Sequence, residues 1–289
     1  MNSSAAAAVP QLIWINGYPG REVTVLDRGL QYGDGLFETM ACQSGRVRFL
    51  RLHLERLRQG CARLDLRTLE AEPLTREIET FAACGADATL KLILTRGAAL
   101  ARGYAVQGHE EPTRILMRYA PPAPDAAVEA GVRVRLAQLR LGENPALAGI
   151  KHLNRLEPVL ARREWSDPDI AEALLFSSSG LLISGTMSNV FLVRDGRLAT
   201  PRLDRCGVAG VMRAAVARVA AVAGISLEEG ALSLADLNAA QEIFLTNALI
   251  AIRPVRELAD RPLTVGPVTR RLRQALAPFL SAVQELPGG

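Results

Sequence analysis

Lysine is nearly absent from this chain of 289 residues, because only Lys91 and Lys151 are lysines among its 34 basic residues. Arginine cannot replace a lysine that reacts through a neutral amine, since the guanidinium group stays protonated and forms no imine. Lys151 lies in a polar, glycine-flanked turn, so we expect it to carry amine chemistry. Lys91 lies on the polar side of a predicted strand, where we expect an exposed structural lysine.

Cysteine, histidine and aromatic residues are also scarce. The four cysteines and three histidines show no metal-ligand spacing, so we predict no metal site and reduced thiols in a cytoplasmic protein. Aromatic residues make up 4% of the chain and do not interleave with arginine, which argues against nucleic acid as a partner despite the net charge of +4. The N-terminus has no long apolar run, so residues 1–10 are predicted to be a loose tail and not a signal peptide or membrane anchor.

Hydrophobic periodicity predicts an α+β (mixed α/β) protein of two domains. The proline-rich stretch 120–125 is the predicted linker between a smaller domain, 1–119, and a larger one, 126–289. Asn16-Gly17 and Ser44-Gly45 predict hairpin turns. Strands are predicted at 11–15, 36–43, 46–50, 89–95, 113–119, 132–139, 172–177, 188–194, 242–247 and 251–255. Helices are predicted at 52–66, 74–83, 211–223 and 268–280, with further helices ending near Trp165 and starting near Ser233.

Two segments have the composition of a functional site. Gly149–Arg155 places Lys151 where a loop enters a helix, which by itself is a weak signal because most such lysines are surface residues. Gly207–Arg213 is a glycine-rich turn that opens a helix, and the N–H groups of a helix N-terminus bind phosphate. A tight turn without a ligand is the alternative for this second segment.

Taken together and in order, these segments resemble the fold-type IV family of pyridoxal-phosphate (PLP) enzymes over roughly residues 11–280. Within that family, the run from Asn144 to Arg155 is similar to aminodeoxychorismate lyases. The resemblance implies a homodimeric enzyme with PLP between its two domains, small-molecule chemistry, and no nucleic-acid or membrane partner. The matching motifs lie at 27–29, 33–39, 53–57, 149–155, 188–191, 200–202, 207–213 and 246–249.

The resemblance also implies roles for individual residues. Lys151 corresponds to the lysine that binds PLP as a Schiff base and then moves the proton during catalysis. Thr39 corresponds to a residue that assists the leaving group. Groups expected to bind the phosphate or the ring of the cofactor are the Arg56 guanidinium, the backbone N–H groups of Val211 and Met212, Asn247 and Ser184.

The loop that follows the strand at 89–95 is expected to approach the substrate. Arg96, Arg102 and Tyr104 belong to this loop, and two arginines beside glycines suit a substrate with two carboxylates. A structural role at the end of the strand is an equal alternative for Arg96.

The chain departs from the family pattern at one position. Family members usually have a carboxylate that pairs with the pyridine nitrogen of PLP, and counting back from Asn189 places Ser184 there. Glu172 belongs to a preceding strand motif and is not expected to replace it. This departure disfavours transamination, which needs the ring as an electron sink.

The expected reaction is therefore the conversion of 4-amino-4-deoxychorismate to 4-aminobenzoate and pyruvate, a step in folate synthesis. A D-amino-acid or branched-chain transaminase is the alternative within the family. A PLP-binding protein without catalysis is the alternative outside enzymology.

Overall fold

The computed structural model describes residues 9–67, 71–99, 102–123, 127–281 and 286–287. Most of the predicted N-terminal tail and the end of the predicted linker therefore lie outside the described residues. The chain forms two compact units. The first contains Met1–Ala123 and Ile150–Asn154, and the second contains Pro124–Gly149 and Arg155–Gly289. The grouping of Ile150–Asn154 with the first unit differs from the predicted boundary, which lies at 120–125.

The first unit is built on an antiparallel six-stranded sheet in the order β2-β1-β6-β5-β3-β4. Its strands are β1 (Leu12–Ile15), β2 (Tyr18–Pro19), β3 (Gly35–Gln43), β4 (Arg46–Val47), β5 (Ala88–Thr95) and β6 (Arg114–Tyr119). Its helices are α1 (Arg28–Tyr32), α2 (Leu50–Leu64) and α3 (Ala71–Ala83). Asn16 and Gly17 adopt φ of 51° and 89°, the left-handed pair of a two-residue hairpin turn, which confirms the predicted turn.

Helix α2 packs one face on the sheet and its C-terminal end is capped by an arginine. Leu57 and Cys61 are buried on this face, and Gly60 allows Leu36 of β3 to approach, since a Cβ at Gly60 would lie 2.8 Å from Leu36 Cδ1. The helix ends at Asp65, whose φ is 49°. Arg96 donates hydrogen bonds to the exposed carbonyl groups at that end, groups that otherwise lack partners.

The second unit contains a mixed nine-stranded sheet in the order β12-β11-β10-β13-β14-β7-β8-β9, with β15 paired to β14. Its strands are β7 (Val132–Leu141), β8 (Ile170–Ser177), β9 (Leu182–Gly185), β10 (Asn189–Arg194), β11 (Arg197–Pro201), β12 (Leu227–Gly230), β13 (Glu242–Asn247), β14 (Ala251–Leu258) and β15 (Arg261–Pro262). Its helices are α4 (Ala127–Ala130), α5 (Leu156–Arg162), α6 (Val211–Val222), α7 (Leu234–Ala239) and α8 (Pro267–Leu280).

Several strands of the second unit have nearly continuous apolar sequences because they are buried on both faces. Both faces of β8, β10 and β13 are covered, and Phe191 stacks on Phe244 with ring centres 4.9 Å apart. The predicted start of α7 is confirmed, because Ser233 and Asp236 form a reciprocal capping box. Helices and sheets occur in both units, which confirms the α+β class. Within the described ranges, no helix is long and apolar enough to cross a membrane.

Candidate active site

Backbone hydrogen bonds hold the Lys151 segment against the start of β3. Phe37 N–H donates to the Lys151 carbonyl at 3.0 Å, and Leu153 N–H donates to the Gly35 carbonyl at 3.0 Å. The Asn154 side chain donates to the Gly33 carbonyl at 3.3 Å. These contacts do not depend on the lysine side chain, so the backbone at position 151 is fixed whatever its Nζ binds.

The aromatic ring of Phe37 lies close to both lysines of the chain. Lys151 Nζ lies 4.2 Å from the ring centre and Lys91 Nζ lies 5.6 Å from it. Lys91 of β5 is paired directly with Thr39 of β3, and alternation along β3 places Thr39 on the same face as Phe37. We call Phe37, Thr39, Lys91 and Lys151 the lysine face. Lys91 is half-buried there, so the expectation of an exposed structural lysine is wrong.

On the other face of β3, a buried carboxylate holds the arginine expected at the phosphate. Glu38 accepts hydrogen bonds from Arg56 Nε at 2.8 Å and from Arg56 Nη2, and His53 Nδ1 lies 2.6 Å from Glu38 Oε2. Glu38 and His53 are both 1% exposed. The guanidinium of Arg56 is thus fixed along one edge by a fork of two bonds.

Burial and charge set the protonation states in this cluster. Burial by itself raises the pKa of Glu38, but the Arg56 charge and the His53 hydrogen bond lower it to about 2. Burial lowers the pKa of His53, and the positive charges of Arg56 and Lys151 act in the same direction against the opposing effect of Glu38. Glu38 is therefore ionised and His53 neutral at neutral pH, which leaves Arg56 as the cation of the cluster.

The three residues expected at the substrate have different environments. Arg96 is buried, its Nε donates to Asp34 at 2.8 Å, and its Nη1 and Nη2 donate to the carbonyl groups of Asp65 and Leu64 at 2.7 Å. These contacts favour the structural alternative for Arg96. Arg102 is exposed, and Tyr104 is 84% exposed with its ring edge against Tyr32.

In the second unit, the glycine-rich turn ends in a helix start without a side-chain cap. Gly149 N–H donates to the Gly207 carbonyl, Ala209 N–H donates to the Gly149 carbonyl, and Asn189 Nδ2 donates to the Val208 carbonyl at 2.8 Å. A Cβ at Gly210 would lie 2.0 Å from Asn189 Oδ1, so this turn requires glycine. Gly210 is the N-cap of α6 and offers no side-chain acceptor to the helix N–H groups.

The N–H groups of Val211 and Met212 begin α6, and both residues are buried. The first N–H groups of a helix have no acceptor within it, and the helix dipole is positive at this end. A buried, uncapped N-terminus is the arrangement that binds a phosphate group.

Ser184 lies in β9, and Glu172 is the carboxylate close to the end of that strand. Ser184 is buried, and no carboxylate of the described residues forms a hydrogen bond with its hydroxyl. Glu172 accepts bonds from Thr186 N–H at 2.9 Å, Ser188 Oγ at 2.9 Å and Met187 N–H at 3.2 Å. It lies beside Gly185, where a Cβ would approach its Cδ to 2.8 Å. Glu172 therefore stabilises the turn after β9.

Asn247 has a similar structural environment. Its Nδ2 donates to the Met187 carbonyl at 3.2 Å, and its Oδ1 accepts from the N–H groups of Leu249 and Ile250. These bonds connect the end of β13 with the turn after β9. They use both ends of the amide, so a cofactor contact by Asn247 stays a prediction without support from this geometry.

The sequence profile of the amino-transferase class IV family matches residues 35–258, which include β3, Lys151, Ser184 and the start of α6. This chain belongs to the aminotransferase class IV family. Its members use pyridoxal 5′-phosphate, and the fold-type IV expectation is confirmed. In the described part of the chain, no group of three or more His, Cys, Asp or Glu side chains is arranged to hold a metal ion.

Relatives within the class IV family include lyases and transaminases. An aminodeoxychorismate lyase of Vibrio harveyi is 35% identical, with 91% of this chain and 98% of that protein covered. The crystal structure of 4-amino-4-deoxychorismate lyase from Pseudomonas aeruginosa is 46% identical, with a TM-score of 0.90 and coverage of 93% of this chain and 100% of that chain. A D-alanine aminotransferase of Listeria monocytogenes is 28% identical, with 87% and 89% covered.

The residue of the lysine face whose position the sequence did not indicate is Lys91. Its signal was present, because the scarcity of lysine that singled out Lys151 applies equally to Lys91. The pairing of β3 with β5 was needed to show that both lysines share one face with Phe37.

Proposed function

We propose that this class IV protein is a PLP-dependent lyase that converts 4-amino-4-deoxychorismate to 4-aminobenzoate and pyruvate, a step in folate synthesis. The observation that carries the proposal is the fixed Lys151 segment on the lysine face, in a chain similar to aminodeoxychorismate lyases at 35% and 46% identity. The reaction balances without an added reactant. One ring proton and the enolpyruvyl group leave the ring, the ring becomes aromatic, and the proton completes pyruvate.

The residues present fit pyridoxal 5′-phosphate. The uncapped start of α6 suits a phosphate group, and the guanidinium of Arg56, taken by itself, is also a group that binds phosphate. Lys151 supplies the primary amine that an aldehyde cofactor requires. When bound, the cofactor would supply an electron-withdrawing group for the carbon that loses its proton.

Within the lysine face, Lys151 is the residue that removes the ring proton and delivers it to the departing enolpyruvyl fragment. Phe37 packs against the amine and excludes water on one side. A neutral amine is the required base, and Lys91 Nζ lies 5.6 Å from the centre of the same ring. Thr39 lies on the same face, and we assign its hydroxyl to assist departure of the enolpyruvyl oxygen.

Lys91 is the cation that we assign to a carboxylate of the substrate. It is half-buried on the lysine face, and no carboxylate among the described residues pairs with it. A partly buried cation is stabilised by an anion, and the substrate has two carboxylates. Lys91 thus takes the place that the sequence analysis gave to Arg96, while Arg102 and Tyr104 remain proposed contacts of the exposed loop.

Replacing Lys91 with glutamine is expected to raise the KM for aminodeoxychorismate about ten- to a hundredfold, the effect of losing one charge-assisted contact. Lys91→Arg is the matched control, because it keeps the charge and should retain most of the affinity. Steady-state kinetics and PLP titration of both variants would check this. Equal KM values for Lys91→Gln and the wild type would remove Lys91 from the substrate site.

A transaminase is the second candidate, since the family includes D-alanine aminotransferases. Ser184 argues against it, because serine cannot hold the pyridine nitrogen protonated by charge as a carboxylate does. The wild type is therefore expected to form 4-aminobenzoate and to transaminate D-alanine, L-alanine and L-leucine slowly. A substrate panel with 2-oxoglutarate as amino acceptor tests this, and fast transamination with no lyase activity would reverse the assignment.

The Ser184→Glu variant should gain transaminase activity. A carboxylate at this position favours the protonated ring, and each 1.4 kcal/mol of that effect is about tenfold in rate. Ser184→Gln is the matched control of equal size without charge. Pyruvate release from D-alanine or L-alanine, with 2-oxoglutarate present, would measure the gain. A folded, PLP-loaded Glu variant that is no faster than the Gln variant would contradict the role given to Ser184.

A cytoplasmic homodimer is the proposed state of the enzyme. Helix α5 has three large apolar side chains in solvent, Leu156, Val159 and Leu160, which are 75%, 53% and 49% exposed. Exposed apolar clusters of this kind mark interaction surfaces. Light scattering on the purified protein should therefore give twice the mass of one chain, and a monomer at micromolar concentration would contradict the proposal.

A further inference from the structure

Asp34 links two buried arginines of the first unit. Its carboxylate accepts a hydrogen bond from Arg28 Nε at 2.9 Å and from Arg96 Nε at 2.8 Å and Nη2 at 3.2 Å. Arg28 is 3% and Arg96 is 7% exposed. One carboxylate between two guanidinium groups in a dry environment makes each bond stronger and geometrically restrictive.

The backbone on either side of Asp34 binds the Lys151 segment. The Gly33 carbonyl accepts from the Asn154 side chain, and the Gly35 carbonyl accepts from Leu153 N–H. A Cβ at Gly33 would lie 2.5 Å from Asn154 Oδ1, and one at Gly35 would lie 2.4 Å from the Leu94 carbonyl. A Cβ at Gly35 would also lie 2.9 Å from Leu153 Cδ1, so both glycines allow the lysine segment to approach the backbone on either side of Asp34.

Arg28 also forms hydrogen bonds with the loop that contains Arg102 and Tyr104. Its Nη1 donates to the carbonyl groups of Gly103 at 3.2 Å and Ala105 at 3.4 Å, and its Nη2 donates to that of Tyr104 at 3.1 Å. The guanidinium also lies 5.0 Å from the ring centre of Tyr32. We call residues 102–105 the clamped loop.

Helix α1, which carries Arg28, is itself anchored. Its N-cap Asp27 is 2% exposed and accepts from Gly29 N–H at 2.8 Å, Thr95 Oγ1 at 2.9 Å and Thr113 Oγ1 at 2.7 Å. The clamped loop, by contrast, is exposed along its length and buries no apolar side chain of its own. An exposed loop with few packed contacts opens at low free energy unless its backbone is bound, so its order depends on Arg28.

We infer that Arg28 and Asp34 are positioning residues that hold the clamped loop at a fixed place relative to the Lys151 segment, so that Arg102 and Tyr104 meet a substrate with carboxylates. The inference rests on the proposed function for the part that concerns the substrate. It predicts that loss of the Arg28 bonds frees the loop and weakens substrate binding, while the cofactor site is unaffected.

The test compares Arg28→Gln with Arg67→Gln. Arg67 pairs with Glu111 just beyond the clamped loop, and both side chains are exposed, at 61% and 78%, so the control removes an arginine ion pair near the loop without touching the clamp. Trypsin cleavage after Arg102, followed by mass spectrometry, should be about tenfold faster in Arg28→Gln, which corresponds to roughly 1.4 kcal/mol of loop opening. Cleavage in Arg67→Gln should match the wild type.

The kinetic arm uses the PLP-loaded enzymes. Arg28→Gln should raise the KM for aminodeoxychorismate about tenfold, with kcat and the PLP dissociation constant near wild-type values. Arg28→Lys is the substitute variant if Arg28→Gln folds poorly. It keeps a charge beside Asp34 but cannot bind three carbonyl groups as well, so it should show the same faster loop cleavage and the same rise in KM.

Each possible result bears on a different part of the inference. Unchanged cleavage in both Arg28 variants overturns the clamp. Faster cleavage with an unchanged KM overturns the positioning of substrate contacts, although the lyase assignment stands. A wild type that has no lyase activity defeats the proposed function, and the cleavage measurement would still report on the clamp separately.

Discussion

Replacing Lys151 with alanine is expected to abolish covalent attachment of PLP and to lower lyase turnover by about three orders of magnitude or more. The residue supplies both the amine that binds the cofactor and the base that moves the substrate proton. The backbone bonds of Lys151 and Leu153 to β3 do not involve the side chain, so the variant should fold. Borohydride reduction of the wild-type holoenzyme, then peptide mass mapping, should place the label on Lys151.

Lys91→Ala is the control for this experiment, because Lys91 is the other lysine of the chain and lies near the same ring. The control variant should retain the label on Lys151 and the absorbance of the attached cofactor. A wild-type label on Lys91, or full labelling of Lys151→Ala, would show that the reactive lysine has been assigned to the wrong residue.

Loss of the Arg56 guanidinium is expected to weaken PLP binding about ten- to a hundredfold, or roughly 1.5–3 kcal/mol for a charge-assisted contact to phosphate. Arg56→Ala alone would leave Glu38 buried without its cation, and an unpaired buried charge costs about 3–5 kcal/mol of stability. The cleaner comparison is Glu38→Gln with the double variant Glu38→Gln and Arg56→Gln, since neither contains an unpaired buried carboxylate.

PLP titration of the two apoproteins measures the effect of Arg56 in a constant background. The double variant should bind PLP ten- to a hundredfold more weakly than Glu38→Gln. Thermal unfolding of both apoproteins is the control for stability. Equal dissociation constants would exclude Arg56 from the phosphate site and leave it as a partner of Glu38 alone.

Glu38 also gives the cluster a pH dependence. Its pKa is about 2 in the folded protein against an ordinary value of 4.5, so its ion pair stabilises the fold above pH 4.5. That contribution declines as the pH falls from about 4.5 towards 2, where the carboxylate becomes protonated. The Arg56 guanidinium is therefore held in place throughout the range in which PLP enzymes are assayed.

Local signals in the sequence were sufficient for most elements of the fold. Asn16-Gly17 favours left-handed φ at both positions, and Ser233 with Asp236 forms a capping box, so the hairpin and the start of α7 could be predicted from neighbouring residues. Helix α1 was missed because its five residues are too few for a periodic pattern. The backbone hydrogen bonds between the segment Ile150–Asn154 and β3 were not predicted, because contacts between residues distant in the sequence do not alter the local hydrophobic pattern.

The residues of the candidate site also fall into two groups, those that lie in short motifs and those whose roles depend on partners distant in the sequence. The family resemblance implied roles for Lys151, Arg56 and the start of α6, each of which lies in a short motif, and these roles stay predictions. Arg96 and Asn247 could not be judged from the sequence, because their roles depend on distant partners. Arg96 donates hydrogen bonds to Asp34, Asp65 and Leu64, and Asn247 donates one to Met187. Lys91 required knowledge of the pairing between β3 and β5.

The central claim is that the chain is a lyase that splits aminodeoxychorismate at the lysine face. The most direct measurement follows 4-aminobenzoate fluorescence and pyruvate together, after the PLP-loaded enzyme is mixed with aminodeoxychorismate. The two products should form at the same rate in equal amounts in the wild type, and neither should form with Lys151→Ala. No 4-aminobenzoate from the wild type, or formation of it at the same rate by Lys151→Ala, would contradict the account.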